Sequence, residues 1–558
     1  MASSCSCQNC GHSLIRPDIQ LPQTPFDDIL RRNCTVSSSC KDRIDTIVSV
    51  IDGLEQELDP EIHRIQAALA ELLAKKTALR DQARMLVGLY HPVRKLPVEI
   101  LAEIFLQCID TPWLHDIGSC DYSVGNPEYA DEEVHIPQSR FIKLCKMPLV
   151  LSSVCTLWRK VALARSELWS SISLVIEPKH QTTDILLMGL WLERACEQQL
   201  FIHLSAQRSV ERGSHDMSAI LNLFASRSSQ WHAVELLLAS SMMQHFSSIK
   251  YCLPKLQWLS VGYIDNGMPT VPVFEVAPLL VSFQHAENAW PGGAVVPWDK
   301  LRHCDLGCTG SPGSYLRVLR HMQALETCRL LIRSGHEDAD FTIPPFDLLH
   351  LRSLTVTENS TDPYPAPFRF FSIFKAPALR ELTIQAQNFG AEAFQYLVPW
   401  IQYHNNLQSL TLKVGPWDWD NHYAGTQSTL NMIEGITDLR KLHLLYGVFP
   451  GISKALVRAL PSASLPKLEV LVVEYDPSAC IGRNQPPMNI LKFLDAVSCR
   501  IGTRLRRVEI VCDNDLPQSQ LAAVMPTHLP VRIAELRRAG LDITMTYWGE
   551  NFYDESTW

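Results

Sequence analysis

The sequence has no excess of basic residues. Its 558 residues include 50 Lys and Arg against 59 Asp and Glu, which gives a formal net charge of −9. Proteins that bind nucleic acid through a phosphate-facing basic surface carry the opposite balance. The charge balance therefore argues against that class of function, and no nucleic-acid partner is expected.

Long apolar runs are also missing. No run of about 18 uncharged apolar residues occurs, so we expect neither a membrane-spanning helix nor a membrane partner. The amino terminus is small and polar, which predicts no secretory signal. We expect an intracellular protein of the cytoplasm, the nucleus or both. The 17 cysteines, such as Cys145 and Cys155 beside apolar residues, are then predicted to be reduced core thiols.

Motifs of known catalytic chemistry are absent from the sequence. It has no Gly-x-Ser-x-Gly elbow and no protein-kinase motif set. The Gly-rich stretch 307–314 lacks the Gly-Lys-Ser/Thr end of a phosphate-binding loop, and His336-Glu337 lacks the second His of a zincin helix. We therefore expect a non-enzymatic protein with no catalytic residues and no cofactor.

Zinc-binding residue types occur together near the amino terminus. Cys5, Cys7, Cys10 and His12 could supply three thiolates and one imidazole. Their spacing fits no paired-knuckle pattern, and no second Cys-x-x-Cys follows. The favoured interpretation is a disordered, Cys-rich tail over residues 1–40, with no metal bound.

Residues 41–90 are predicted to be amphipathic helix. Asp59-Pro60 is predicted to restart the helix, with Asp as the N-cap and Pro in the first helical position. The apolar seam has two interpretations of equal weight: a short coiled coil for self-association through residues 44–83, or packing on the chain's own next domain. The seam consists of Ile44, Ile47, Ile51, Leu54, Leu58, Ile62, Ile65, Leu69, Leu72, Leu73 and Leu79.

A repeated Leu-x-x-Leu-x-Leu-like pattern occupies residues 231–545, after a connecting segment at 176–230 and before a tail at 546–558. Its last two apolar positions alternate, which predicts a short strand, and stacking of such units buries a continuous core. Most spacings lie at or just above the range of about 20–29 residues for leucine-rich repeats. A degenerate unit is expected at 280–283. The other units are Leu256-Leu259-Val261, Leu301-Cys304-Leu306, Leu325-Cys328-Leu330, Leu351-Leu354-Val356, Leu379-Leu382-Ile384, Leu407-Leu410-Leu412, Leu439-Leu442-Leu444, Leu468-Leu471-Val473 and Leu505-Val508-Ile510.

A second pattern occupies residues 91–175. Residues 96–105 run Leu-Pro-Val-Glu-Ile-Leu-Ala-Glu-Ile-Phe, with Pro97 at a helix start and Glu99 in the first turn. Residues 154–159 run Val-Cys-Thr-Leu-Trp-Arg, and the pattern closes with Leu168-Trp169. Both helical pieces are apolar on more than one face, which is typical of a module that packs internally and also binds a partner.

This block resembles the F-box family in the order of its parts, in residue types and in the closing Leu-Trp. With the upstream helix and the downstream repeats, the chain looks like the mushroom-type fungal F-box proteins. The resemblance implies binding of an SKP-family adaptor, and through it a cullin-RING ubiquitin ligase, with an unknown protein substrate held by the repeats. It also implies an adaptor-binding face made of Leu96, Pro97, Ile100, Leu101, Ile104, Val154, Cys155 and Trp158, with Phe105, Leu151 and Trp169 in the module's core.

One feature departs from that family. About 40 residues, 108–146, separate the two halves of the motif, and they are rich in Asp and Glu. Because the cost of closing a loop grows slowly with its length, we interpret them as a neutral, solvated insertion. The alternative is that their bulk hinders adaptor binding, which favours a protein-interaction scaffold without ligase coupling.

The predicted fold is therefore α/β. It consists of an irregular leucine-rich repeat solenoid, preceded by an α-helical F-box module and by an N-terminal helical, coiled-coil-like segment. The substrate is not predicted, since repeat surfaces bind through variable exposed residues.

Overall fold

A computed structural model shows the arrangement of most of the chain. It divides into two compact units, residues 1–101 and residues 102–558. The residues described are 38–108, 147–176, 181–206, 217–263, 272–286, 296–310, 312–332, 343–358, 368–386, 391–404, 406–414, 435–445, 457–461, 465–475, 490–512, 528–547 and 550–551. The Cys-rich segment with Cys5, Cys7, Cys10 and His12, and the insertion after Cys108, lie outside them.

The first unit is dominated by one helix, α1 (Ser38–Gly88, 51 residues). The predicted restart at Asp59-Pro60 is wrong, because α1 continues through Pro60. Proline removes one N–H donor, yet the apolar seam stays in phase, since Leu58 and Ile65 are two helical turns apart on either side of it. Beyond α1, the Arg94 Nε donates to the Gly88 carbonyl at 2.9 Å, which satisfies an acceptor at the helix end.

A short 3-10 helix (Pro92–Lys95) separates α1 from α2 (Val98–Gln107), within which the boundary between the units falls. Pro97 immediately precedes α2, as the sequence predicts. In the second unit, α3 (Met147–Val154), α4 (Thr156–Ala164) and a 3-10 helix (Ser166–Trp169) lead into the sheet.

The second unit is built on a 15-stranded sheet whose strands follow one another in chain order. Neighbouring strands of this sheet are parallel from β1 to β16, and β17 is antiparallel to β16. Helices lie in the connections between strands: α5 (Gln181–Ala195), α6 (Ser218–Ala225), α7 (Pro312–Leu319), α8 (Ala391–Tyr403), α9 (Ile490–Ser498) and α10 (Leu529–Arg538). The fold is thus mixed α/β with a long parallel sheet.

The strands of the large sheet are short. They are β1 (Ser171–Ile176), β2 (Leu200–Ala206), β3 (Trp231–Leu238), β4 (Trp258–Tyr263), β5 (Ser282–Ala286), β6 (His303–Gly310), β7 (Thr327–Ile332), β9 (Ser353–Glu358), β11 (Glu381–Ala386), β12 (Ser409–Val414), β13 (Lys441–Leu445), β14 (Val470–Tyr475), β15 (Arg507–Cys512), β16 (Asp542–Tyr547) and β17 (Glu550–Asn551). The pair β8 (Phe346–Asp347) and β10 (Phe374–Lys375) forms a separate two-stranded sheet.

The register explains the repeated sequence pattern. Leu382 lies beside Leu354 on one neighbouring strand and Leu410 on the other, and Ile384 lies beside Val356 and Leu412. Apart from the degenerate unit at 280–283, the final two apolar residues of each predicted unit occupy a strand in this way and are buried. Side chains alternate between the two faces of a strand. One face therefore forms the core, and we call the opposite face the polar face.

The turn before each strand is built in the same way along much of the sheet. The Arg352 carbonyl accepts from the next strand's Arg380 and Glu381 amides at 2.8 and 2.9 Å. The Arg380 carbonyl accepts from Gln408 and Ser409 at 2.7 and 2.9 Å in turn. The leading leucine of each unit lies just before this turn, where Leu379 and Leu407 are buried.

The sheet begins earlier than the repeated pattern does. Strands β1 and β2 lie upstream of Trp231, in the part of the chain that the sequence assigns to the F-box-like module and a connecting segment. Ile172, Leu174 and Ile176 alternate and are buried. No Leu-x-x precedes them, so the repeat pattern alone does not reveal this strand.

Candidate functional site: the α2–α4 helices and the polar face

The α3–α4 region has a compact core of its own. The rings of Phe105 and Trp158 pack with centroids 4.9 Å apart. Trp169 is fully buried, and its Nε1 donates to the Ala162 carbonyl at 2.8 Å. Its ring also packs edge-on against Trp191 at 4.7 Å. Phe105, Leu151 and Trp169 are thus buried, as the sequence predicts.

Apolar side chains remain exposed around this core. Ile104 is 41% exposed, Val150 51%, Val154 56% and Leu157 44%. They are carried by short helices whose buried positions are already occupied by other residues. Folding of the second unit alone therefore leaves these side chains in water, which is unfavourable unless a partner covers them.

The residues predicted for adaptor binding differ in their exposure. Leu101 is only 1% exposed, so it belongs to the core and not to an exposed face. Its position follows from helix periodicity, because Leu101 and Phe105 are one turn apart and both are buried. Pro97, Ile100, Ile104, Val154 and Cys155 are exposed, and Leu96 and Trp158 are half-buried.

Cys155 is not the core thiol that its apolar neighbours predict. It is exposed, it lies at the N-cap of α4, and its Sγ accepts from the Trp158 amide at 3.5 Å. The Arg159 Nε reaches back to the Ser152 carbonyl at 2.9 Å. These two interactions connect α3 and α4 at the turn, and Cys155 caps the amino terminus of α4.

The polar face carries interactions that the sequence reading missed. Ser173, His203 and Glu235 lie side by side on β1, β2 and β3. The His203 Nδ1 lies 2.8 Å from the Glu235 Oε2. The Ser173 Oγ is buried, and it has no hydrogen-bond partner in the part of the chain that the structure describes. A serine nucleophile needs a hydrogen bond from its hydroxyl to the histidine, so this row lacks the contact that would activate the serine.

A second polar cluster lies on β12, β13 and β14, among the later strands of the sheet. Glu474 on β14 accepts from Lys413 Nζ on β12 at 2.6 Å and lies 2.7 Å from the His443 Nε2 on β13. Burial by itself would raise the pKa of Glu474, and the hydrogen bonds from His443 and Lys413 outweigh it, so the pKa is lowered. The ionised carboxylate therefore links three neighbouring strands.

Two polar residues on β5 and β6, His285 and the half-buried Asp305, have buried side-chain atoms. His285 lies at a core position of β5, beside Val261 and Leu306 in the register, and among the described residues neither ring nitrogen has a hydrogen-bond partner. Burial lowers its pKa from 6.5 to about 4. On the polar face, burial raises the pKa of Asp305 from 3.8 to about 6, although Arg329 opposes this. Both groups are held in the neutral form more strongly than they are in water.

The described residues contain neither a candidate metal site nor a candidate membrane-spanning helix. Among them, no three His, Cys, Asp or Glu side chains are grouped so as to hold a metal ion. In the same part of the chain, no helix combines the length and apolar character needed to cross a bilayer.

Comparison with known proteins adds no relative to this description. No protein-family model matches the chain, and none of the curated proteins matches it. The assignment of a function therefore rests on the residues, the fold and the exposed side chains described above.

Proposed function

We propose that the protein is an F-box-type substrate-recognition adaptor of an SKP-cullin-F-box ubiquitin ligase. In this proposal α3, α4 and the part of α2 from Ala102 onward dock an SKP-family adaptor, and the sheet binds a target protein. The observation that carries the proposal is the set of half-exposed apolar side chains Ile104, Val150, Val154 and Leu157 around a core that is already filled. The proposal includes an intracellular location and a role in binding rather than in catalysis.

The division between buried and exposed residues supports this role. Phe105, Leu151 and Trp169 build the interior of the module. Ile104 and Val154 are large and apolar, yet about half of each side chain remains exposed. Side chains of this kind, when clustered on a surface, usually mark a protein interface. An apolar partner surface would stabilise the complex by about 25 cal/mol for each Å² of apolar area that it covers.

We also propose that the parallel sheet is an irregular leucine-rich repeat solenoid. The chain-order strands, the buried Leu-x-Leu positions and the recurring turn before each strand support it. The target protein would bind at the polar face, where neighbouring strands carry residues such as Thr355, Thr383 and Thr411. Small-angle X-ray scattering tests the solenoid, because an elongated, curved particle and a compact one of equal mass differ in radius of gyration.

The docking proposal is tested by binding to a purified SKP-family adaptor. The test variant is Ile104→Asp with Val154→Asp, which adds two charges to exposed apolar positions. The control is Leu186→Asp with Leu190→Asp on α5, where the side chains are 72% and 49% exposed. We expect wild type and control to bind equally, and the test variant to lose affinity by about 100-fold or more, since each buried charge would need to be desolvated.

Two results would overturn the docking proposal. One is equal binding by the wild type and the test variant, which would place the adaptor elsewhere. The other is no binding by the folded wild type, which favours the alternative of a protein-interaction scaffold without ligase coupling. The exposed apolar seam of α1 is the observation that favours this alternative.

A further inference from the structure

Helix α1 carries an apolar residue at every seventh position along nearly its whole length. We call this set the heptad seam: Ile44, Ile51, Leu58, Ile65, Leu72, Leu79 and Leu86. Helices that wind around each other carry apolar residues at two positions of each heptad. The heptad seam supplies one of these positions throughout, and Ile47, Leu54 and Ala68 supply the other in part of α1. The continuity of α1 through Pro60 matters here, because a break would have separated the seam into two pieces.

The heptad seam is exposed in its carboxyl-terminal part. Ile65 is 40% exposed, Leu72 64%, Leu79 67% and Leu86 56%. At about 1.5 Å per residue, the 51 residues of α1 extend over about 76 Å. A helix of this length gains most of its stability from packing of its apolar stripe rather than from its own hydrogen bonds. The seam therefore needs a partner of similar length.

The charges of α1 indicate which partner fits. Residues 44–61 contain six acidic residues and no Lys or Arg. Residues 62–88 contain five Lys and Arg and two acidic residues. Both acidic residues of the second half lie close to a base of the same helix, with Lys75–Glu71 at 2.5 Å and Arg84–Asp81 at 3.4 Å. One end of the seam is thus flanked by negative charge and the other by positive charge.

We propose that α1 pairs with α1 of a second copy of this chain in an antiparallel coiled coil. Antiparallel pairing sets the acidic half of each helix against the basic half of the other, whereas parallel pairing sets acid against acid. Ile65 is the midpoint of the heptad seam. An antiparallel pair centred there keeps the whole seam in contact with its partner. Flanking charges select the partner and the orientation in coiled coils.

The first test asks whether the heptad seam is the interface, in the full-length protein. Ile65→Asp with Leu72→Asp charges two seam positions. Ala67→Asp with Ala74→Asp adds the same charges on the opposite side of α1. Sedimentation velocity over a range of concentrations measures the monomer–dimer equilibrium. We expect the seam variant to weaken dimerisation by about 100-fold or more, and the control to leave it within a few-fold. Circular dichroism verifies that both variants keep their helix content.

The second test determines the orientation. Asp52→Lys with Glu55→Lys reverses two charges beside the seam in the acidic half. The antiparallel pair loses attraction, so its dissociation constant rises by about tenfold. A parallel pair would lose acid–acid repulsion, so its dissociation constant would fall. A tighter dimer therefore overturns the orientation. A wild-type chain that remains monomeric at every concentration overturns the pairing itself, and neither result depends on adaptor binding.

Discussion

The rings of Phe105 and Trp158 meet with centroids 4.9 Å apart and planes inclined at 59°. This contact connects the last turns of α2 with α4, which lie on either side of the insertion in the sequence. Phe105 is 1% exposed. The two halves of the motif are therefore held by packing, and the length of the intervening segment does not determine their contact.

The first prediction concerns this contact. Phe105→Ala should destabilise the α3–α4 region by about 3–5 kcal/mol, because it removes a buried ring and leaves a cavity. Hydrogen exchange of the α3 and α4 amides measures the effect locally. The control Ile104→Ala on the same helix should cost clearly less, about 1 kcal/mol, since Ile104 is 41% exposed. Equal exchange in both variants would contradict the prediction.

The second prediction concerns His285. Its pKa is 6.5 when unfolded and about 4 when folded. The folded state therefore loses stability as the pH falls from 6.5 toward 4, by roughly 3 kcal/mol in all. His285→Leu restores the apolar residue of the repeat and should remove this part of the acid sensitivity. Thermal unfolding at pH 5 and pH 7 measures it.

The control for His285 is His350→Leu, which changes an exposed histidine. It should keep the acid sensitivity of the wild type. An unchanged pH dependence in His285→Leu would mean that the ring is hydrated and not desolvated.

The third prediction concerns Asp305, whose pKa rises from 3.8 to about 6 on folding. A carboxylic acid whose pKa is raised on folding stabilises the folded state at a pH below its pKa in the unfolded state. This stabilisation is lost as the pH rises through the folded-state pKa of about 6. Asp305→Asn should therefore stabilise the protein at pH 8, by roughly 1–3 kcal/mol, and should have little effect at pH 4. Urea unfolding at the two pH values measures the difference, with the exposed Asp347→Asn as control.

The fourth prediction concerns Glu474, whose pKa is lowered because hydrogen bonds from His443 and Lys413 outweigh the effect of burial. Its contribution to stability is present above pH 4.5 and is lost as the pH falls through the folded pKa. Glu474→Gln should cost about 1–3 kcal/mol at pH 7 and much less at pH 3. Urea unfolding is the measurement. The control Glu381→Gln changes an exposed residue and should be neutral at both pH values. If Glu474→Gln cost the same at pH 7 and pH 3, an ionic role of Glu474 would be contradicted.

Local sequence patterns predict the strands well for a physical reason. Residues two apart on a strand, such as Leu382 and Ile384, point to the same face and are buried together. The alternation of apolar and polar residues within a few positions is therefore enough to predict the strand. The helices α8 and α9 follow in the same way from their apolar stripes, which include Leu397 and Leu494. Phe105 and Trp169 are identified as core residues because they are large and lie on faces that short helices bury.

The remaining features depend on contacts between distant residues. Residue type does not predict that Leu101 is buried and Ile100 is exposed, since both are aliphatic and adjacent on one helix. His203 and Glu235 meet only because β2 and β3 are in register, and nothing in either local sequence indicates the other. Cys155 looks like a core residue by its neighbours, whereas its role as a cap depends on the turn between α3 and α4.

The chain order of the strands has a consequence for biosynthesis. In the large sheet, each strand from β2 to β16 pairs with the sheet strands that come before and after it along the chain. Contacts of short sequence separation form quickly, so a nascent chain can add one strand at a time to the edge of the part already folded. That growing edge presents unpaired amides and carbonyls. The two-residue β17 later pairs with Thr546 and Tyr547 of β16. Interrupted synthesis would therefore release an ordered fragment rather than an unfolded chain. The last strand of that fragment could pair with a strand of another chain.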